Sequence, residues 1–275
     1  MRTESFSDKK QKKEKRRKGE KEKKMKITFL GTACGVPQKD RYCTTALIEC
    51  GDKKYLLDAG APVTELIRQR NMTPDDITAV FITHMHGDHV DGLIGLADIM
   101  GWYYKKADPA IFLPETKYIE LLEGWLSVLR CGGEVRPLRY GSVREGRIYN
   151  DGVISVTAIK TSHMEKEGRP TFAFMVEAVC EGDSSRVLFT GDLSHSCKDF
   201  PKVAEEKEFD LIVTEGAHFD PLRRIDIFKK SKTKKFALTH IGVKLLSESP
   251  ESLTEFCRLM PCETIIPEDG EEVIL

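Results

Sequence analysis

At 275 residues, with 40% hydrophobic and 32% charged positions, the chain has the composition of a globular protein, and no apolar run approaches the length needed to cross a bilayer. No apolar stretch follows the charged N-terminus, which argues against a secretory signal, and a cytoplasmic protein is expected. The formal net charge of −1 conceals a division: residues 1–24 hold 12 Lys/Arg against 5 Asp/Glu, and residues 25–275 hold 31 against 39.

Residues 1–24 are therefore expected to be a basic, disordered tail, because a run such as Lys9 to Lys18 has nothing with which to build a core. An arm for RNA is one reading of it and a solvated appendage the other, with Met25 opening the first strand directly. Residues 25–275 read as one domain. The eight cysteines, Cys34, Cys43, Cys50, Cys131, Cys180, Cys197, Cys257 and Cys262, form no CxxC pair, and reduced thiols are expected.

In chain order, Lys26 to Leu30 reads as a strand, followed by the glycine-punctuated loop Gly31 to Pro37. Thr45 to Cys50 and Lys54 to Asp58 form a hairpin across Gly51-Asp52, and the second strand delivers Asp58 at its end. A helix from Pro62 to Arg70 leads to the strand Ile77 to Ile82 and then to Thr83-His-Met-His-Gly-Asp-His89, three histidines and a carboxylate within seven residues. Helices follow over Gly92 to Trp102 and Glu115 to Arg130, the latter with Leu121, Leu122, Trp125, Leu126 and Leu129 on one stripe, and a short strand, Ile111 to Leu113, separates them. The cluster Trp102-Tyr103-Tyr104 carries no catalytic weight.

The second half repeats the plan. Strands Val153 to Lys160, Thr171 to Val179, Arg186 to Thr190, Leu211 to Thr214 and Lys235 to Thr239 run into His163, a turn, Asp192, Glu215 with His218, and His240 respectively. A helix over Glu251 to Leu259 and short strands Thr264 to Ile266 and Glu272 to Ile274 close the chain. Candidate ligands thus come at strand ends, where loops hold them on a rigid base. His84 and His86, at i and i+2, can face one cation while Asp88 and His89 turn toward a second. A catalytic centre needs about three protein ligands per metal plus open positions, and His163, Asp192 and His240 supply what the histidine loop lacks.

Asp58, His84-Met-His-Gly-Asp-His89, His163, Asp192 and His240, in this order, resemble the five-motif signature of the metallo-β-lactamase superfamily across residues 25–275. The resemblance implies an α/β fold, a four-layer αββα sandwich, with two divalent metal ions at one edge: zinc first, manganese or iron next. It assigns His84, His86 and His163 to one metal and Asp88, His89 and His240 to the other. Asp192 bridges them, and Asp58 orients a ligand histidine. His195 and Cys197 match no motif. Glu215-Gly-Ala-His218, Leu30 to Pro37 and Ala59-Gly60 are similar to the ribonuclease Z and cyclic phosphodiesterase branch. That branch implies a phosphodiesterase using a metal-bridging hydroxide, with Asp88 accepting a proton and His218 donating one to the leaving oxygen.

His163 and Asp192 are only 29 positions apart, which leaves no room for the long arm that grips tRNA in ribonuclease Z. A small or nucleotide-type phosphodiester is therefore the expected substrate. A ribonuclease Z-type tRNA 3′-processing endonuclease is the alternative, followed by a thioester or lactone hydrolase and by a non-catalytic, metal-stabilised binding module. No membrane partner is expected, and a homodimer is an assembly that relatives often form.

Overall fold

A computed structural model describes residues 24–130, 138–180 and 182–275. The basic tail expected over residues 1–24 falls outside these except for Lys24, as does Cys131.

The first half builds β1 (Lys26–Gly31), β2 (Thr45–Cys50), β3 (Lys53–Leu57), α1 (Val63–Gln69), β4 (Ile77–Phe81), α2 (Gly87–Trp102), β5 (Ala110–Leu113), α3 (Ile119–Leu129) and β6 (Arg139–Ser142). The second builds β7 (Gly146–Asn150), β8 (Ile154–Thr161), β9 (Thr171–Cys180), β10 (Asp183–Phe189), α4 (Val203–Glu206), β11 (Phe209–Gly216), α5 (Ile225–Phe228), β12 (Thr233–Ile241), α6 (Val243–Glu248), α7 (Pro250–Leu259), β13 (Glu263–Ile265) and β14 (Glu272–Ile274).

Two seven-stranded sheets result, ordered β14-β1-β2-β3-β4-β5-β6 and β13-β12-β11-β10-β9-β8-β7. Each changes from antiparallel to parallel pairing partway across: β3 to β6 run parallel in the first, and β10 to β13 in the second. The last strand, β14, returns to pair with β1, so the chain's end completes the first sheet.

Strand parity explains the layers. Ile27, Phe29, Tyr55, Leu57, Ala79 and Phe81 point to the interior between the sheets, where they meet Val156, Phe174, Val187, Leu211 and Val213. Their neighbours Leu30, Leu56 and Val80 point the other way, onto α1 and α2. Ile212 and Leu238 likewise face outward, under Phe228 and Phe256. Strands covered on both faces need apolar residues at consecutive positions, which is why Ile77 to Ile82 reads as an unbroken apolar run. Helices cover both outer faces, giving the αββα order. No helix among the described residues is long and apolar enough to cross a membrane.

The structure corrects several expectations. Helix α2 starts at Gly87 rather than Gly92, so Asp88 and His89 lie on its first turn. The expected stripe on α3 divides in two: Leu126 is buried, with Ile119 and Leu122 packed beside it, whereas Leu121 and Trp125 are 72% and 55% exposed. Short elements without a periodic signal, β6, β7 and α4 to α6, were not predicted from the sequence. The thiols are not all reduced. Cys50 at the end of β2 and Cys180 at the end of β9 face each other in the inter-sheet core, Cα atoms 5.8 Å apart, and form a disulfide. That pairing spans 130 residues and joins strands in different sheets, so it had no local signature.

Candidate metal centre

The carboxyl ends of β3, β4, β8, β10, β11 and β12 converge on one edge of the sandwich, the position where open α/β sheets bind ligands. Each delivers a polar side chain there, and the chain is bent to do so. Asp58, directly after β3, and His240, at the end of β12, both have positive φ, 59° and 49°, a conformation that non-glycine residues adopt at some cost and that recurs at functional sites.

Three nitrogens form the first donor set. His86 Nδ1 lies 3.0 Å from His84 Nε2 and 3.4 Å from His163 Nε2. Each ring is turned by a partner on its other nitrogen or by its neighbours. The Thr83 hydroxyl donates to Asp58, so His84 Nδ1–H donates to the Thr83 oxygen at 3.0 Å. His163 Nδ1–H donates to the Leu193 carbonyl at 3.2 Å. The second set is Asp88 Oδ2, His89 Nε2 and His240 Nε2, with Asp88 Oδ2 3.5 Å and 3.7 Å from the two nitrogens. His89 Nδ1–H donates to Asp58 Oδ2 at 2.8 Å, and His240 Nδ1–H to the Thr44 oxygen at 2.5 Å; the Thr44 hydroxyl in turn donates to the Ala33 carbonyl.

Asp192 stands between the sets with its oxygens divided. Oδ2 is 3.5 Å from His84 Nε2 and 3.7 Å from His163 Nε2, while Oδ1 is 3.3 Å from His89 Nε2 and 3.4 Å from His240 Nε2. Nitrogens bound about 2.0–2.1 Å from a shared tetrahedral cation stand about 3.3–3.4 Å apart, and the first set's separations bracket or approach that span. His89 Nε2 and Asp192 Oδ1 are buried without a hydrogen-bond partner. Buried polar atoms left so are costly, and a cation at each set would satisfy them. The residues present therefore fit two divalent metal ions.

The electrostatics agree with that use. Burial, with His89 beside it, pushes His84 well below the ordinary imidazole range, and burial with His163 lowers His86, so both are neutral donors. Burial works against charge on His89, but Asp192 and Asp58 outweigh it and raise its pKa well above the usual value; a cation on Nε2 would displace that proton. Burial would protonate Asp192, but His240, His89 and His84 hold its pKa well below the ordinary carboxylate value.

His218 lies beside this centre without belonging to either set of three. Its Nδ1–H donates to Glu215 Oε1 at 3.0 Å, and the same nitrogen is 3.7 Å from Asp192 Oδ2. Glu215 is buried and also accepts the backbone N–H groups of Leu193, Ala217 and His218. Burial disfavours the imidazolium, yet the Glu215 hydrogen bond and charge, with Asp192 behind them, raise His218 to about 8. His195 is exposed; its Nδ1–H donates to the His218 carbonyl at 2.5 Å. Cys197 is buried among apolar residues, and burial pushes its thiol up. An open cleft of about 510 Å³, lined by His86, His163, Ser194, His195 and Lys198, adjoins the first donor set.

Sequence reasoning missed Thr83 and Thr44. Thr83 adjoins His84 and could have been suspected from its place in the loop. Thr44 is 196 positions from His240, and a lone threonine carries no signal.

A family model described as Anti-Pycsar protein Apyc1 matches residues 25–220. Among curated proteins, ribonuclease Z of Thermosynechococcus vestitus is 32% identical over 163 residues, 58% of this chain and 37% of that protein. The matches to the first such relatives span under half of those proteins' lengths. Among solved structures, the metallo-β-lactamase fold protein YhfI of Bacillus subtilis has a TM-score of 0.73 at 18% identity, covering 92% of this chain and 100% of that one. A diphosphatase from the PhnP family has a TM-score of 0.67 at 17% identity, covering 90% and 97%. These two likenesses show a shared fold, the metallo-β-lactamase αββα sandwich.

Proposed function

The chain belongs to the family described as Anti-Pycsar protein Apyc1, and from its fold and candidate donor set we propose that it is a dinuclear-metal-dependent phosphodiesterase acting on a small or nucleotide-type phosphodiester. The observation that carries this reading is the division of the Asp192 carboxylate between two donor sets, with His218 beside it.

Two divalent cations held by His84, His86 and His163 and by Asp88, His89 and His240, zinc before manganese or iron, would supply Lewis-acid activation and an acidified water. The chain's own groups do the rest. Asp88 is the carboxylate that accepts the proton of the attacking water. His218, charged at neutral pH and with Nδ1–H committed to Glu215, has its Nε2–H left to give to the departing alkoxide. Glu215 fixes the ring and the backbone beneath it, so the donor is held in place before the substrate arrives.

A small substrate is supported by what lies between His163 and Asp192: a short loop, β9 and β10, with no added arm among the described residues. The acidic balance of residues 25–275 also lacks the positive field that a phosphate backbone calls for. Likeness to a diphosphatase is compatible with it. The similarity to ribonuclease Z favours a second reading, tRNA 3′ processing, in which the basic residues 1–24 would serve in place of an arm.

Metal-reconstituted protein assayed with bis-nitrophenyl phosphate, cyclic nucleotides, a precursor tRNA and a thioester separates these readings. Turnover of the nitrophenyl diester and of a small nucleotide diester is expected. Turnover of the precursor tRNA alone, lost on deleting residues 1–24, would establish the second reading. Activity confined to the thioester, or none at full metal occupancy, rejects phosphodiester chemistry altogether.

A further inference from the structure

His163 follows β8 and Asp192 follows β10, two strands kept apart in their sheet by β9. The loops that carry them nonetheless meet at one carboxylate, Asp199. Its Oδ2 accepts the Ser162 N–H at 2.9 Å and the Ser194 N–H at 3.0 Å, and its Oδ1 accepts the Ser194 hydroxyl at 2.6 Å. Ser162 immediately precedes His163, and Ser194 is two residues past Asp192. Asp199 itself is held between Cys197 and Phe200, both buried in the core under the second sheet, and turn hydrogen bonds from Cys197 N–H to Ser194 O and from Phe200 N–H to Cys197 O set the path of the segment.

We propose that Asp199 is a positioning residue chiefly for one metal, the one held by His84, His86 and His163. Hydrogen bonds to a charged acceptor are short and roughly twice as strong as neutral ones, and groups that orient ligands change metal affinity without touching the metal. The carboxylate sets the spacing between the His163 loop and the Asp192 loop, and the His163 Nδ1–H bond to Leu193 O closes the same link from the ligand side. The second donor set shares Asp192 with the first through Oδ1, but its histidines are held by partners outside this link, His89 by Asp58 and His240 by Thr44. Loss of Asp199 therefore loosens the first site, which depends on it through both His163 and Asp192, more than the second, which depends on it through Asp192 alone.

The inference rests on the two-metal reading, and the experiment separates the two. Metal-free full-length protein, as wild type, Asp199→Ala, Asp199→Asn and His163→Ala, is titrated with cobalt(II), following d–d absorption and the metal retained after dialysis against a chelator, with Tm measured in parallel. Wild type is expected to hold two equivalents. Asp199→Ala is expected to bind one of them about 10- to 100-fold more weakly and the other clearly less affected. Asp199→Asn keeps an acceptor oxygen and should lose less, confined to the same equivalent; it also carries the test if the alanine variant does not fold. Both equivalents weakened to the same extent, with a lowered Tm, would mean a merely structural role, and both unchanged would mean none; either overturns the proposal. A His163→Ala variant weakened beside an intact Asp199→Ala sinks only the Asp199 role. If His163→Ala keeps both equivalents, the metal assignment itself falls and takes this inference with it.

Discussion

Asp192 and His218 concentrate the consequences at the scale of single residues. Because the two Asp192 oxygens face different donor sets, Asp192→Ala should weaken both metals together, by more than the roughly 10- to 100-fold that losing an outer partner costs; metal content after dialysis reads this directly. His218→Ala should lower kcat by about 10²–10⁴ for a diester with a poor leaving group and far less for a nitrophenyl diester, whose leaving oxygen needs no proton. Equal slowing of both substrates would rule out the acid role. The pH dependence follows from the direction of the shift. His218 is raised to about 8, so it carries its proton below that value and loses it above. Bound cations nearby would pull it down, so kcat with the poor leaving group should fall as pH rises through about 8 or somewhat lower. The limb should vanish in His218→Ala.

At the scale of elements, the site depends on how closely the turn after β3 approaches the first turn of α2. Ala59 N–H donates to the His89 carbonyl, and a Cβ on Gly60 would stand 2.3 Å from the Asp88 carbonyl and 2.7 Å from Cys43 Cβ. Neither neighbour is the free end of a flexible side chain. Gly60→Ala must therefore push α2 away and move Asp88 and His89 with it. A loss of about 1–3 kcal/mol is expected, the usual cost of overpacking, with weakened binding of the metal held by Asp88, His89 and His240. A variant with wild-type Tm and full metal content would show that the approach is looser than the structure has it. The start of α2 at Gly87 belongs to the same contact: the apolar spacing in the sequence begins at Gly92, whereas the polar first turn is held by Ala59 and Gly60 in the turn after β3.

For the molecule as a whole, the Cys50–Cys180 disulfide ties the two sheets together. β2 runs antiparallel to β3, and β9 to β10, so their carboxyl ends lie at the edge away from the metal centre. Closing a loop with a sequence separation of 130 should stabilise the fold by about 2–5 kcal/mol. Reduction, or the paired change Cys50→Ser and Cys180→Ser, should lower Tm while leaving metal content and kcat unchanged. A matching loss of bound metal would show that the far edge controls the site.

Much of this was legible before any folding. The alternation of Ile27, Phe29 and Leu30, or of Leu211, Ile212 and Val213, specifies strands covered on both faces, and the ordered set His84, His86, Asp88, His89, His163, Asp192 and His240, with Asp58 as an orienting acceptor, names the candidate donors, because chemistry limits which residue types can serve. The sequence by itself determined the sandwich class, the strand ends and the candidate ligands. Only the tertiary structure decided which nitrogen of each histidine faces inward, that Asp192 divides its oxygens, that Asp199 joins two loops, and that Cys50 meets Cys180. Periodicity is written in neighbouring residues, whereas these contacts join groups tens to hundreds of positions apart, whose distances do not exist until both sheets have packed.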